Sequence, residues 1–161
     1  MTRLTLPQQL KIVEAMAPAT DAAGRSSDII NLKNAGKAYI LVSLTQGNAA
    51  TVALTPMQAQ DVAGTGAKVL ANAVPIWSNL DTATSDTLVR RTDAVNYTTD
   101  AALKNKQVVF EIDPALLDIN NGFDCVYFTT GASNVANITA AVFLLTDLRY
   151  GQETPPSAIV D

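Results

Sequence analysis

The sequence has no histidine, a single cysteine and a single tryptophan in 161 residues, and only 16% of its residues are charged. Each shortage removes a class of chemistry. Without histidine there is no imidazole to activate a serine or cysteine nucleophile, and the usual zinc ligand sets are out of reach. Cys125 alone cannot close an internal disulfide; set in a β-forming run, it reads as a small buried hydrophobe. The eleven Lys and Arg residues are scattered, Arg90-Arg91 being the one adjacent pair, and the net charge is −4. Sequence-independent nucleic-acid binding needs a basic stripe to displace counterions, so no nucleic-acid partner is expected. No run approaches the roughly 18 to 20 apolar residues of a membrane-spanning helix. No basic region leads into an apolar core at the start of the chain, so no signal peptide is expected either.

What is present is β-forming sequence. At 48% hydrophobic residues, one domain of this length buries roughly 70% of its unfolded surface and needs neither metal nor disulfide to hold a core. The densest stretch runs from Gln107 to Tyr150, with apolar runs at Val108–Ile112, Phe123–Thr130 and Ile138–Tyr150 separated by turn-rich breaks such as Asn121-Gly122. These read as three long strands of one antiparallel sheet system. In the third run both alternating sets are apolar: Ile138, Ala140, Val142 and Leu144 on one side, Ala141, Phe143 and Leu145 on the other. A strand of that kind needs a second sheet or a partner molecule over its outer side.

Upstream, Thr5 to Ala17 has capping-box spacing at Thr5 and Gln8 and a helical stripe of Leu6, Leu10, Val13 and Met16, which predicts a short amphipathic helix ended by Pro18. It packs on its own sheet or serves as an arm on a neighbouring subunit. A short strand is predicted at Ser27–Leu32. Ala38–Leu44 and Ala50–Thr55, joined by Gln46-Gly47-Asn48, are predicted to form a hairpin. Pro56 to Ala63 reads as one or two helical turns, Val69 to Trp77 as an edge strand broken by Pro75, and Ser78 to Thr99 as the longest weakly structured region, of the kind that often does the binding in a β-sandwich. Asp113 to Asp118 reads as a single helical turn. Beyond Tyr150, Pro155-Pro156 enforce an extended tail whose apolar tip, Ala158 to Val160, is expected to lie against another surface. The organisation expected is an arm over residues 1–27, a β-sandwich over 28–150 and a tail over 151–161.

Motifs that carry chemistry are few. Glu111 with Asp113 or Asp124 is the one carboxylate set that a glycosidase could use, although a solvent-facing strand residue and a turn cap explain them as well. Asp118 to Gly122 lacks EF-hand spacing, and Gly64 to Lys68 lacks the order of a phosphate-binding loop. Trp77 and Tyr97 are candidates for a sugar platform, with burial of Trp77 in the core or at an interface as the plainer reading. No catalytic residue, metal or cofactor is expected.

Phe110-Glu-Ile-Asp-Pro114, Asn120-Asn-Gly-Phe-Asp124 and Leu148-Arg-Tyr150, together with the Asp28–Leu54 segment, resemble the jelly-roll capsid decoration, or cement, proteins of tailed bacteriophages and prophages. The resemblance implies an all-β antiparallel sandwich of jelly-roll type, with a short N-terminal helix or arm and an extended C-terminal tail. It implies a non-enzymatic virion protein, made in the bacterial cytoplasm, that binds the major capsid protein on the outer shell as a dimer or trimer and stabilises the head. Partner contacts are then expected from Leu6, Leu10, Val13, Trp77, Pro155, Pro156 and Ile159. A carbohydrate- or host-surface-binding module of a phage tail or fibre is the alternative.

Overall fold

The computed structural model describes residues 3–161. A four-residue helix α1 (Leu6–Gln9) leads into strands β1 (Leu10–Thr20), β2 (Arg25–Ser26), β3 (Ile30–Asn31), β4 (Ala35–Gln46), β5 (Ala53–Ala59), β6 (Lys68–Val69), β7 (Val74–Asn79), β8 (Val89–Ala94), β9 (Tyr97–Thr98), β10 (Asn105–Ile112), β11 (Cys125–Thr130) and β12 (Asn137–Leu148). The front sheet has the order β1-β12-β4-β10-β7-β8; the back sheet has β2-β11-β5-β6, with β3 added on β11 and β9 on β5.

The pairings are nested and antiparallel. β1 pairs with β12, β2 and β3 with β11, β4 with β10, and β5 with β9. First strand with last, second with second-last, and so inward: a long hairpin folded across two sheets gives this pattern, and it is the jelly roll. The β7–β8 hairpin extends the front sheet beyond β10.

Period-two alternation places Ala38, Ile40, Val42 and Leu44 of β4, Val108, Phe110 and Ile112 of β10, and Ala141, Phe143 and Leu145 of β12 on the inner side of the front sheet. They meet Ile30, Leu54, Val126 and Phe128 from the back sheet, and Val52 from the crossing before β5, in one core. The rings of Phe110 and Phe128 are 6.3 Å apart and tilted by 48°, joining the two sheets at the centre. Each such fully buried side chain contributes roughly 1.5–3 kcal/mol.

The helix expected over residues 5–17 is cut short. Its capping box forms, with the Thr5 N–H donating to Gln8 Oε1 at 2.8 Å, but Leu10 is already extended (φ −149°, ψ 153°). Residues 10–20 instead form an edge strand on β12, because pairing there buries Ala15 and Met16 that an isolated short helix would leave wet. Pro18 sits in that edge strand at a register shift between Met16 and Ala19, where its missing N–H costs no ladder bond.

The hairpin expected over residues 38–55 is also absent. β4 and β5 lie in different sheets, and Gly47 to Val52 crosses between them. The segment expected as helical turns from Pro56 is the body of β5. Opposite Pro56, Phe128 spends both its N–H and its C=O on Ser27. The proline nitrogen therefore faces away from β11, into the gap between β9 at Leu54 and β6 at Met57. Pro75 does not mark an edge: β7 lies between β10 and β8, and the proline occupies a register shift against β8, outside the β10 pairing that begins at Ile76. The 78–99 region holds β8 and β9. The single turn after Asp113 is present, as a 3-10 turn capped by the Asp113 carboxylate accepting from Ala115 N–H at 2.9 Å.

The tail lies on its own domain. Asn31 N–H donates to the Ala158 carbonyl at 2.7 Å and Asn31 Nδ2 to the Val160 carbonyl at 2.7 Å, while Ala158 plugs a gap beside Leu145 and Leu148.

Candidate functional site

The outer side of the front sheet is the surface that the sequence leaves unexplained. Where the inner row of β12 is buried, its outer row is half-covered: Ala140, Val142 and Leu144, with Ile138 39% exposed. Register continues this row across the sheet. Leu144 lies between Ile12 of β1 and Tyr39 of β4, and Val142 lies beside Leu41. Leu41 is in turn opposite Val109, and Val109 opposite Trp77. The result is an apolar band, Ile12–Leu144–Tyr39 and Val142–Leu41–Val109–Trp77, crossing five strands, with a shallow depression at Leu41, Ser43, Ala140 and Val142.

Charges sit at the margins. Lys37 and Glu111 form an ion pair of 2.5 Å beside Tyr39, and the Glu111 hydrogen bond and charge raise the Lys37 ammonium above its ordinary value. At the far edge the Arg90 guanidinium lies 4.7 Å from the centroid of Trp77 while pairing with Asp93 at 2.5 Å. A weakly charged centre with a polar rim is the anatomy of a protein-binding patch.

One end of the sandwich is sealed by a different device, a belt of buried polar groups. Asp21, fully buried, accepts from the Thr139 hydroxyl of the front sheet, from the Thr130 hydroxyl of the back sheet at 3.1 Å and from Arg25 Nη2 at 3.2 Å. Its backbone carbonyl accepts from Ser133 N–H, whose hydroxyl accepts from Asn137 Nδ2 at 2.9 Å. Asn137 Nδ2 also donates to the Ala50 carbonyl at 2.8 Å, as Gln46 Nε2 does at 3.3 Å. Gln46 Oε1 accepts from Lys106 Nζ at 2.7 Å, and Lys106, itself buried, ends on the Asp100 carboxylate at 2.5 Å. The belt ties β1's end, the β4–β5 crossing and both sheets together.

The carboxylates considered for glycoside hydrolysis serve separate structural tasks. Glu111 is paired with Lys37, Asp113 caps a turn just beyond the end of β10, and Asp124 accepts from the Cys125 thiol at 3.3 Å. Trp77 and Tyr97 make no common platform: Trp77 is on the outer side of β7, whereas Tyr97 packs on the core and reaches Ser78, the buried next residue of that strand. The Gly64–Lys68 loop turns around the Asp61 carboxylate, which accepts from the Thr65 N–H and hydroxyl; these bonds hold it below the usual carboxylate range.

Of the expected contact residues, Leu6, Leu10 and Pro155 line a groove beside β1. Trp77 belongs to the apolar band, and Pro156 borders the Ala158 plug. Ile159 is half-exposed at the tail tip, and Val13 turns inward against the core. Cys125 is buried, and burial first, then its bond to Asp124, pushes the thiol up to about 12. It is therefore expected to stay silent to a disulfide reagent at mildly alkaline pH and to react at the rate of global unfolding. A native-state reaction as fast as that of a free thiol would contradict this.

A prophage-derived protein shares the fold. This is the SPBc2 prophage-derived protein YomS, with a TM-score of 0.50 at 10% identity over 91% of this chain and 97% of that one. The Triatoma virus empty capsid gives a TM-score of 0.42 at 12% identity, over 96% of this chain and 95% of that one. No family model matches the sequence, and no curated protein matches it.

Proposed function

We propose that the chain is a non-enzymatic virion structural protein that sits on the outside of a phage head, binds the major capsid protein and stabilises the shell. The observation that carries this reading is the apolar band on the outer side of the front sheet, framed by ion pairs and centred on Leu41 and Val142. Burying a weakly charged face costs little desolvation, so it suits repeated docking on a lattice of identical subunits. The fold shared with a prophage-derived protein supports a phage setting for this role. A small module that touches several subunits strengthens each contact, since the later ones become intramolecular.

Purified protein is expected to cosediment with mature shells that lack it and to saturate at a symmetry-related number of copies. The double variant Leu41→Asp, Val142→Asp should weaken that binding by roughly 30-fold or more, as the loss of a hot spot of ~2 kcal/mol does. Its own stability should fall only by about 1 kcal/mol per site, because both side chains point outward. Absence of saturable binding by the unaltered protein, or equal binding by the variant, would sink the proposal.

A further inference from the structure

The four open sheet edges are not equally guarded. The back sheet is edged by β2 and β3 on one side and by β6 and β9 on the other, each two residues long and too short to template a strand. β8 carries Arg90, Arg91 and Asp93 and runs against an irregular register. Short edges, charges and bulges are the usual protections against edge-to-edge pairing. β1 is eleven residues long; its two charges, Lys11 and Glu14, lie in its first half, while its register shifts and its covered carbonyls lie in its second half. There Arg25 bonds the Ala17 and Ala19 carbonyls, each at 3.0 Å, and Asp28 N–H bonds the Ala15 carbonyl at 3.3 Å. Its first half, Leu10 to Glu14, receives no such cover among the described residues. It borders a groove of about 260 Å³ lined by Leu6, Pro7, Leu10, Lys11, Ile12 and Pro155, with Leu6 57% and Ile12 55% exposed.

We infer that this open half-edge pairs with the same half-edge of a second copy, around a two-fold axis at Ile12. The geometry selects the register. A two-fold normal to the sheet keeps outer side chains opposite outer side chains, so the axis must pass through a residue and not between two. Leu10, Ile12 and Glu14 are outward, opposite Thr146, Leu144 and Val142, while Lys11 and Val13 are inward. An axis at Lys11 sets two lysines opposite each other, and an axis at Glu14 sets two glutamates; like charges directly opposite destabilise a pair. An axis at Val13 brings Leu10 opposite the buried Met16 and runs into the half that Arg25 and Asp28 close. An axis at Ile12 uses the free stretch alone. It places Ile12 opposite its equivalent, Leu10 opposite Glu14 of the second copy, and Lys11 opposite Val13 of the second copy. The pairing joins two front sheets into one and continues the Ile12–Leu144–Tyr39 row across the axis, so the apolar bands of both copies face the same way. The inference stands independently of the virion reading, because it concerns the free protein.

Sedimentation equilibrium of the full chain tests it. The expected mass is twice the 17.0 kDa of the chain. Ile12→Lys, an edge lysine at an exposed position, should return it to the chain mass with an unchanged circular dichroism spectrum. Directly opposite Cβ atoms lie about 4.5–5.5 Å apart, close enough for a disulfide after small adjustment. Ile12→Cys should therefore form a disulfide-linked dimer under mild oxidation, and Val89→Cys on the opposite edge should not. A protein at the chain mass over the whole soluble range, a dimer that survives Ile12→Lys, or cross-linking through Val89→Cys and not through Ile12→Cys would each overturn the inference.

Discussion

Asp21→Ala is expected to destabilise the fold by ~3–5 kcal/mol, the cost of removing one member of a buried ion pair. For a chain of this length that corresponds to a drop in Tm of about 10 °C or more. Asp21 is fully buried at the corner where the chain leaves β1, and its carboxylate is the one acceptor shared by Thr139 of the front sheet, Thr130 of the back sheet and Arg25. Without it the two hydroxyls lose their partner. Arg25 keeps its bonds to the Ala17, Ala19 and Thr139 carbonyls, but its charge is left without a counter-ion. Asp21→Asn preserves shape and can still accept through its carbonyl oxygen, so its cost should be clearly smaller. Arg25→Met, combined with Asp21→Ala, should be less damaging than the sum of the two, since the charge goes with its partner. Thermal denaturation of the four proteins measures all of this. If Asp21→Ala melts within a degree or two of the unaltered protein, the sheets are held at this corner by something other than the carboxylate.

How much of this was legible in the sequence depends on whether the deciding interaction was local. β4, β10, β11 and β12 were readable because dense runs of Val, Ile, Leu, Phe and Tyr bounded by turn residues favour strands whatever lies across from them. The doubly apolar pattern of β12 also announced the exposed band before its neighbours were known. The N-terminal helix is present but far shorter than its sequence suggests: Leu6, Leu10, Val13 and Met16 fit a helical stripe, while the pairing that wins from Leu10 onward is with β12, over a hundred residues away. The β4–β5 hairpin failed for a related reason. Gln46-Gly47-Asn48 is good turn sequence, but in a nested fold consecutive strands go to opposite sheets, and the turn serves as a crossing. Asp21 carried only its four-residue spacing to Arg25 as a local signal, since the two hydroxyls that it binds are contributed by β11 and β12. Lys106 did carry one: it falls in phase with Val108, Phe110 and Ile112, so alternation alone places a lysine on the buried side.

That inward lysine sets the second large effect. Lys106→Ala should cost about 3–5 kcal/mol, from two losses. The buried stem is worth roughly 0.8 kcal/mol per methylene, and Gln46 Oε1, left without its donor, costs roughly 1–3 kcal/mol. Lys106→Met keeps most of the stem and should therefore lose mainly the second part, because Asp100, whose side chain is 48% exposed, can turn to water. The pair also predicts a pH dependence. The Lys106 hydrogen bond is the largest cause holding the Asp100 carboxyl below its ordinary value. A folded-state pKa below the unfolded one means that the stabilisation is fully present above the ordinary carboxylate range and is lost as pH falls through the depressed value. In Lys106→Met that acid-dependent share should shrink, so the two proteins should converge in stability as the medium is acidified. Parallel stability curves at neutral and acidic pH would show that Asp100 is not what the lysine serves. Since Lys106 and Asp21 lie at the two ends of one belt through Gln46, Ala50, Asn137 and Ser133, the double alanine variant should lose less than the two singles together. Once either end opens, the shared carbonyl of Ala50 and the crossing beneath it are already hydrated.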